Sequence, residues 1–282
     1  MRLLHGRPLA ERLNARSRER SDSLHARGIK PTLATISVGI DPAANTYLER
    51  LVRGGTTVGI AVRDVSLSRD ATEETVIAEL DRASRDRAIH GVLLLTPLPG
   101  KLDEGHLVDH IAPQKDVEGV NPYNVGLLLD GRPGYVPSTA EAIVELLKFH
   151  EIRLAGVEIV VVGRSTVVGR PAAALLLSED ATVTVAHKRT SDVAALTRRA
   201  AVVVVAVGRA GFLTGDMIAP GATVIDAGIN VTPAGIAGDV DADSVASIAG
   251  ALSPVPGGVG TVTSALLLRN VLTAAETQAA GG

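Results

Sequence analysis

The stretch that decides the fold of this chain is Val157-Glu158-Ile159-Val160-Val161-Val162-Gly163-Arg164-Ser165-Thr166-Val167-Val168-Gly169-Arg170-Pro171. Its β-branched run up to Val162 is typical of a parallel strand that is buried on both faces. Gly163 permits a turn too tight for a side chain, and Gly169 falls where an Ala- and Leu-rich helix begins. Such a strand, turn and helix direct backbone N–H groups and a positive helix end at one place, which suits a phosphate. The glycine spacing differs from G-x-G-x-x-G, so a strand–turn–helix without a ligand is the alternative.

The next predicted strand, which runs to residue 186, is followed by the basic tripeptide His187-Lys188-Arg189. In dinucleotide-binding folds an acidic residue at this place reads the ribose 2′-hydroxyl, whereas basic residues accommodate a 2′-phosphate. Arg164 adds a second guanidinium close to the same place. The sequence therefore favours NADP over NAD as the cofactor. The alternative is a solvated strand end that binds nothing.

Length and composition describe a globular protein with room for one large domain or two modest ones. The chain has 282 residues, 46% hydrophobic and 21% charged, with a formal net charge of −3. This charge and the 2% aromatic content argue against nucleic-acid binding. The lack of cysteine excludes disulfides, zinc thiolate sites and a cysteine nucleophile, and it fits a cytoplasmic protein. The N-terminus lacks the apolar region of a signal peptide, so we predict a cytoplasmic protein without membrane contact.

Predicted strands alternate with predicted helices on both sides of residue 150. The predicted strands are 32–38, 60–65, 91–95, 157–162, 182–186, 201–206 and 222–226, with a loop or hairpin over 228–238. The predicted helices are 8–27, 42–58, 73–85, 107–111, 169–178, 191–199, 241–249 and 262–277, with another capped by Ser138 or Thr139 and an irregular segment over 112–135. The pattern predicts an α/β fold of two units with parallel sheets. Ligands of such folds lie at the carboxyl ends of strands, so a cleft between the units is the expected site.

Several segments together resemble the bifunctional methylenetetrahydrofolate dehydrogenase/cyclohydrolase family. They are Tyr47, Pro97-Leu98-Pro99, Lys115–Gly119, Asn121-Pro122, Asn124–Gly126, Gly163–Pro171, Val205–Gly208, Asp226–Asn230, Gly238–Val240 and Pro254–Gly260. The resemblance implies a folate-binding catalytic domain of residues 1–138 plus 262–282 and a Rossmann-like NADP-binding domain of residues 139–261. It also implies a tetrahydrofolate-type substrate and a homodimer, with the apolar strand 201–207 as a candidate for its interface.

The resemblance assigns roles to particular residues. Tyr47 is expected to stack on the pterin and Glu118 to accept hydrogen bonds from its amino group and ring N–H; the alternatives are a rim tyrosine and a solvated acid. The other expected substrate contacts are Pro97, Leu98, Pro256, Gly257, Gly258 and Thr263. The expected cofactor contacts are Gly163, Arg164, Ser165, Thr166, Gly169, His187, Lys188, Arg189, Val207, Gly208 and Asn230.

Two catalytic positions depart from the family pattern. In the family a Lys four residues after the Tyr is the general acid/base of the hydrolysis, and a Gln two residues before the Pro-Leu-Pro holds it. Here these positions are Leu51 and Leu95, and no lysine occurs between Lys30 and Lys101. Losing both together is physically coherent, because a buried Gln without its partner would cost roughly 1–3 kcal/mol whereas two leucines can pack on each other. The usual second Asp of the pterin loop is Glu118, and Thr261 also departs from the family pattern.

Three interpretations of these changes compete. The first is an NADP-dependent dehydrogenase whose cyclohydrolase activity is lost or strongly reduced, since hydride transfer needs no base. The second is a paralogue that acts on another substrate or transfers a one-carbon unit in a specialised pathway. The third is a non-catalytic folate- or nucleotide-binding protein, against which the intact phosphate loop argues. His106 and His110 have a metal-like spacing, but no third ligand is evident and we predict no metal site.

Overall fold

The computed structural model describes residues 1–39, 42–233 and 235–280, with only the backbone for Pro42 and Ala43. The strands, in chain order, are β1 (Arg2–Leu3), β2 (Thr32–Val38), β3 (Ala61–Leu67), β4 (Gly91–Leu94), β5 (Glu158–Val162), β6 (Thr182–Ala186), β7 (Val202–Val205), β8 (Thr223–Asp226), β9 (Asn230–Thr232), β10 (Gly235–Ala237) and β11 (Ala251–Leu252). The α-helices are α1 (Arg7–Ala26), α2 (Pro42–Val58), α3 (Glu73–Arg85), α4 (Glu104–Val108), α5 (Pro122–Leu129), α6 (Ser138–Phe149), α7 (Gly169–Ser178), α8 (Val193–Thr197), α9 (Ala242–Val245) and α10 (Val259–Ala280). Short 3-10 helices span Pro113–Lys115 and Gly215–Met217.

The chain divides into two compact α/β units, each built around its own parallel sheet. The first, here called the six-stranded unit, comprises Met1–Ala10 and Pro137–Thr263. The second, the three-stranded unit, comprises Glu11–Val136 and Ser264–Gly282. The assignment of the first ten residues differs from the sequence prediction, which placed them in the folate-binding domain. They join the six-stranded unit because β1 pairs in parallel with β11.

The three-stranded unit has its sheet in the order β3-β2-β4 with apolar side chains on both faces. Leu33, Leu93 and Leu95 point to one face, where they join a core cluster with side chains of α2 and α10. Ala34 and Ile36 point to the other face, towards a second cluster that includes residues of α3. The alternation follows from the period of two along a strand. Strands β2 and β4 are buried almost throughout, whereas the edge strand β3 alternates exposed and half-buried residues.

The six-stranded unit has the order β1-β11-β8-β7-β5-β6, with every neighbouring pair parallel. The chain leaves β5 through α7 to β6 on one side and then returns to β7 on the other side of β5. The carboxyl ends of β5 and β7 therefore flank a topological switch point, where open α/β sheets bind their ligands. This confirms the predicted fold class and places the quoted stretch at the switch point.

Several features differ from the sequence predictions. Helix α5 lies inside the segment predicted to be irregular, because Asn121 caps it by accepting from the Tyr123 N–H at 2.9 Å and Pro122 fits its first turn. Helix α6 begins after Pro137 without a side-chain cap, and Ser138 is buried within it. The two-residue strands β1 and β11 are too short to show a periodicity. Strand β7 pairs with both β5 and β8, so it lies inside the sheet rather than at its edge.

Within the described ranges, none of the helices combines the length and the apolar character that crossing a membrane requires.

Candidate active site

The turn after β5 is built on two glycines that admit no side chain. Gly163 has φ +123°, and a Cβ there would lie 2.1 Å from the backbone oxygen of Ala206, at the end of β7. A Cβ on Gly169 would lie 2.2 Å from the oxygen of Gly163. The two glycines therefore let the first turn of α7 approach both strand ends at the switch point.

The segment between these glycines exposes hydrogen-bond donors at the start of α7. Arg164, Ser165 and Thr166 are exposed. The Ser165 hydroxyl oxygen accepts from the backbone N–H of Val168 at 3.1 Å and of Gly169 at 3.4 Å. Among the described residues its own hydrogen has no acceptor, so the predicted role of Ser165 is compatible with this geometry.

The basic tripeptide after β6 forms a tight turn next to this segment, because β6 pairs with β5. The Thr190 hydroxyl accepts from the His187 N–H at 2.9 Å, and the Thr190 N–H donates to the His187 oxygen at 2.8 Å. The Arg189 N–H donates to Nδ1 of His187 at 3.2 Å, which assigns the proton of a neutral imidazole to Nε2. Lys188 and Arg189 are exposed, so the turn offers cations to an anionic group.

Two buried aspartates connect the loops that follow β7 and β8. Asp239 is fully buried, and its Oδ2 accepts from the N–H groups of Val207 at 2.6 Å and Gly208 at 2.9 Å. Its Oδ1 accepts from the Arg209 N–H and from Nδ2 of Asn230, both at 2.9 Å. Val207, Gly208 and Asn230, which sequence analysis assigned separately to the cofactor, are thus brought together by one carboxylate.

Asp226, the last residue of β8, supports Asp239 in turn. Its Oδ1 accepts from the N–H groups of Gly228 at 2.9 Å and Asp239 at 3.0 Å, and its Oδ2 accepts from the Val240 N–H at 3.0 Å. Burial raises the pKa of Asp226 to about 6; hydrogen bonds from these backbone groups lower it, and the negative charge of Asp239 raises it. The buried Ser253 hydroxyl accepts from the Asp226 N–H at 2.8 Å, so the pair is tied to the end of β11 as well.

The glycine-rich loop after β11 contains a cis peptide bond between Val255 and Pro256. Pro256 is exposed, Gly257 has φ +110°, and a Cβ on the buried Gly258 would lie 2.7 Å from the oxygen of Pro254. Thr263, another expected substrate contact, lies in the first turns of α10. Its side chain is buried and its hydroxyl donates to the Val259 oxygen of the same helix at 3.1 Å.

In the three-stranded unit, the two leucines at the departing positions lie in one apolar cluster. Leu51 of α2 is fully buried and Leu95, next to β4, is 4% exposed. Both belong to a core cluster with Leu93 and Val117, and the half-buried Tyr47 packs against it. Burial raises the pKa of the Tyr47 hydroxyl well above its usual range, the negative charge of Glu118 raises it further, and Arg50 lowers it. Tyr47 and Glu118 therefore act on each other electrostatically.

The loop that carries Glu118 is held from several sides. The buried Asp116 accepts from the N–H groups of Gly119 and Asn121 at 3.0 and 2.8 Å and from Nδ2 of Asn124 at 2.8 Å. These bonds lower the pKa of Asp116, but burial outweighs them and raises it. Nδ2 of the buried Asn270 donates to the Val117 oxygen at 2.9 Å. Glu118 itself is half-buried on this fixed loop.

Lys115 is buried and its ammonium caps the end of α3. Nζ donates to the backbone oxygen of Asp86 at 2.7 Å and to that of Ala83 at 3.4 Å. Burial lowers the pKa of Lys115, and the negative charge of Asp86 opposes this effect. The cation satisfies carbonyl groups at the negative helix end, which is a structural function.

Pro97 and Leu98 follow β4 after a cis peptide bond between Thr96 and Pro97. Pro97 is exposed, whereas Leu98 is half-buried against the cluster on the α3 face of the sheet. Pro97 therefore faces solvent, whereas Leu98 packs against the core.

His106 and His110 bind carboxylates of α3. Nδ1 of His106 lies 2.6 Å from Oε1 of Glu73, and Nδ1 of His110 lies 3.2 Å from Oδ1 of Asp81. Among the described residues no group of three metal-ligating side chains is found.

The predicted site residues fall into two groups, one in each unit. Tyr47, Leu51, Leu95 and Glu118 belong to the three-stranded unit, and the cofactor residues belong to the six-stranded unit. Sequence reasoning missed the roles of Asp226, Asp239 and Asn270. The only signal was that the two aspartates belong to short motifs, Asp-Ala-Gly-Ile-Asn and Gly-Asp-Val.

The doubly wound parallel sheet and its glycine-bounded turn define a dinucleotide-binding protein joined to a second α/β unit. The tetrahydrofolate dehydrogenase/cyclohydrolase catalytic-domain model matches residues 4–118, and the NAD(P)-binding-domain model of the same family matches residues 137–279. The chain belongs to this family.

Relatives and solved structures agree with this assignment. The chain is 51% identical to the bifunctional protein FolD of Nocardia farcinica over 274 residues, 97% of each chain. It is 37% identical to FolD of Campylobacter jejuni, whose crystal structure superimposes with a TM-score of 0.95 over 98% of this chain and 99% of that one. It is 34% identical to the Trypanosoma brucei FolD, solved with NADP and an inhibitor, with a TM-score of 0.94 over 98% of each chain.

Proposed function

We propose that this protein oxidises 5,10-methylenetetrahydrofolate to 5,10-methenyltetrahydrofolate with NADP and has little or no cyclohydrolase activity. The observation that carries the proposal is the burial of Leu51 and Leu95 in one apolar cluster against Tyr47. Family membership and the N. farcinica and C. jejuni relatives support the folate substrate. Those relatives are named bifunctional, so the proposed loss of one activity would distinguish this chain from them.

The residues of the six-stranded unit fit an anionic dinucleotide. The exposed donors at the start of α7 suit a diphosphate, and the turn of His187, Lys188 and Arg189, with the exposed cations Lys188 and Arg189, suits a ribose 2′-phosphate. NADP, when bound, accepts a hydride from the substrate carbon. Since the folate nitrogens stabilise the resulting cation, the protein has only to hold the two ring systems in the reacting geometry.

Hydrolysis of the methenyl product requires a placed general acid/base, which this chain lacks at the family position. Leu51 offers no titratable group, and its surroundings are apolar. Lys115, the buried lysine of the three-stranded unit, is engaged with the carbonyl groups at the end of α3. Arginine side chains are poor proton shuttles, so neither Arg50 nor Arg53 replaces the missing lysine.

A paired assay on purified protein tests the proposal. We expect NADPH formation from methylenetetrahydrofolate, and decay of methenyltetrahydrofolate no faster than in buffer alone. Decay that the protein clearly accelerates contradicts the loss of hydrolysis. No NADPH from folate despite measurable NADP binding contradicts the dehydrogenase and points to a different substrate, with Glu118 as the residue to change first.

The double variant Leu51→Lys, Leu95→Gln should recover measurable hydrolysis, because it restores both members of the family pair. The matched control is Leu51→Met, Leu95→Met, which keeps the site apolar at similar volume. The control should retain dehydrogenase activity and gain no hydrolysis. Equal hydrolysis by both double variants contradicts the assignment of these positions.

The preference for NADP over NAD should depend on the turn after β6. Lys188→Ala and Arg189→Ala remove cations proposed to contact the 2′-phosphate, so each should weaken NADP binding about tenfold or more. NAD binding, measured in the same titration calorimetry, should change little. The exposed Arg198→Ala is a control for a general change in charge. Equal losses of affinity for NAD and NADP would show that the turn does not bind the 2′-phosphate.

We also propose a homodimer, following the family resemblance. The support within this chain is that β6 ends the six-stranded sheet, so its outer edge carries the exposed Val185 and, in the described part of the chain, backbone groups without a neighbouring strand. Light scattering coupled to gel filtration should give twice the mass of the 29.0 kDa chain. A monomer at micromolar concentration contradicts this proposal alone and leaves the activity untouched.

A further inference from the structure

The loop after β7 presents three consecutive backbone N–H groups to one side chain. The N–H groups of residues 207, 208 and 209 all donate to the carboxylate of Asp239, at 2.6 to 2.9 Å. Converging N–H groups of this kind form a concave anion site. Here the anion is a residue of the chain itself, so the loop conformation is fixed from within.

The same carboxylate also fixes the loop after β8. Nδ2 of Asn230 donates to Asp239 Oδ1 at 2.9 Å, which fills the fourth acceptor position of the carboxylate. Neighbouring strands β7 and β8 thus end in loops that share one buried acceptor. Neither loop can shift without breaking a charge-assisted hydrogen bond, and such bonds are about twice as strong as neutral ones.

Asp226 holds Asp239 in place rather than contacting the loop after β7. It accepts from the backbone N–H groups of Asp239 and Val240, on either side of the Asp239 peptide carbonyl. The approach leaves no space for side chains, because a Cβ on Gly238 would lie 1.9 Å from Asp226 Oδ2 and one on Gly228 would lie 2.2 Å from Asp239 Cγ. The Ser253 hydroxyl links Asp226 to the end of β11.

We infer that Asp239, supported by Asp226, is a positioning residue for the nicotinamide half of the cofactor, because it fixes the loops after β7 and β8. The inference rests on the proposed function and on the family resemblance, by which Val207, Gly208 and Asn230 are expected to contact the nicotinamide half of NADP. Asp239 is buried and its oxygens are occupied by the chain, so it acts through these loops. The adenosine half belongs to the turns after β5 and β6, which lie outside the hydrogen bonds of both aspartates.

The test compares NADP with adenosine 2′,5′-bisphosphate, a fragment that lacks the nicotinamide. In Asp239→Asn one carboxylate oxygen becomes an amide that cannot accept, so N–H groups of the loop lose their partner. We expect unchanged fragment affinity, weaker NADP binding and a fall in the hydride-transfer rate on the order of 100-fold, as for a small misplacement of reacting groups. The transfer rate is followed in single turnovers with methylenetetrahydrofolate.

The matched control is Asp241→Asn, an acidic residue two positions away that accepts from the Ser244 N–H at 3.2 Å and caps α9. It should leave both affinities and the transfer rate unchanged. A general structural effect of Asp239→Asn would instead weaken NADP and the fragment equally, and that result overturns the inference.

If Asp239→Asn fails to fold, Asn230→Ala is a second variant for the same test. It removes one hydrogen-bond donor to Asp239 from a half-buried position. It should slow hydride transfer less, again without changing fragment affinity. Full activity of Asn230→Ala overturns the inference. Failure of the proposed function is distinct, since wild-type protein would then form no NADPH from folate.

Discussion

Glu151 and Asp180 adopt left-handed backbone conformations, with φ of 58° and 60°. Each follows the C-terminal cap of a helix, α6 or α7, a position that glycine usually occupies. The backbone hydrogen bonds of Glu151 and Ile152 to Lys148 and Leu147 close the end of α6, so the conformation is needed even though a Cβ disfavours it.

Glu151→Gly should therefore stabilise the protein by about 0.5–1 kcal/mol, after allowing for the greater freedom of glycine in the unfolded chain. Urea unfolding measures the difference. Glu151→Ala is the matched control, because it removes the same carboxylate but keeps the Cβ at positive φ. Equal gains from both variants would assign the effect to charge rather than to backbone conformation.

Asp226 gives the folded state a pH dependence at residue scale. Its pKa, raised to about 6 by burial, lies above the ordinary value of 3.8, so between these values the folded chain binds more protons than the unfolded chain. The free energy of unfolding therefore falls as pH rises from about 4 to 6 and levels off above, a contribution on the order of 3 kcal/mol.

Asp226→Asn removes this titration. The free energy of unfolding of the wild type minus that of the variant should fall as pH rises across this window, whereas the exposed Asp243→Asn should run parallel to the wild type. Urea titrations at several pH values between about 4 and 7 make the comparison. If the free energies of unfolding of the wild type and Asp226→Asn differ by the same amount at every pH, Asp226 is not the source of the pH dependence.

At the scale of elements, the turn between β5 and α7 depends on close backbone approach. Gly163→Ala would place a Cβ 2.1 Å from the Ala206 oxygen, a distance that requires the strand end or the turn to move. Gly211 also has a positive φ, but at +64° it lies in the left-handed region that residues with a Cβ can enter, and a Cβ there would have no atom of the described residues within 4 Å beyond its chain neighbours.

Gly211→Ala should therefore cost about 1 kcal/mol, the strain of the backbone conformation alone, whereas Gly163→Ala should cost several times more and weaken dinucleotide binding. Thermal unfolding and titration with NADP measure the two effects. Similar losses of stability in both variants would show that neither the φ of +123° nor the contact with Ala206 makes Gly163 necessary.

Elements with a strong hydrophobic period could be predicted from the sequence. Strand β2 and helices α2, α3 and α7 were predicted with the bounds that the structure has. Helix α5 was missed because its eight residues are spaced by Pro and Gly, which more often interrupt helices. The predicted capping residue of α6 was wrong, because Ser138 has a side chain typical of a cap but is buried inside the helix.

The candidate site was only partly predictable for a related reason. The glycines and the basic turn stand at fixed distances from a strand that the sequence reveals, and Leu51 and Leu95 could be assigned by resemblance. The hydrogen bonds of Asp239 join residues about 30 positions apart through tertiary structure, and Asn270 reaches Val117 from the other end of the chain. No local pattern encodes such pairings.

At the scale of the whole molecule, NADP binding should raise stability, because a ligand that binds only the folded state shifts the unfolding equilibrium. At about 100 times its dissociation constant NADP should add about 2.7 kcal/mol to the free energy of unfolding. NAD at the same concentration should add clearly less. Chemical unfolding with each dinucleotide measures the difference, and equal stabilisation would contradict the preference for NADP.

The apolar packing of Leu51 and Leu95 also restricts how this lineage can change again. On the proposed function, Leu51→Lys alone would introduce an ammonium into an apolar cluster, and Leu95→Gln alone would bury an amide without a partner. Each single substitution would then give a less stable protein than either the present pair of leucines or the Lys–Gln pair. Only the double substitution would restore hydrolysis. A stepwise return to the bifunctional state would therefore be disfavoured, because each intermediate with a single substitution is less stable. Substitutions that adapt the pocket to a single reaction meet no such obstacle.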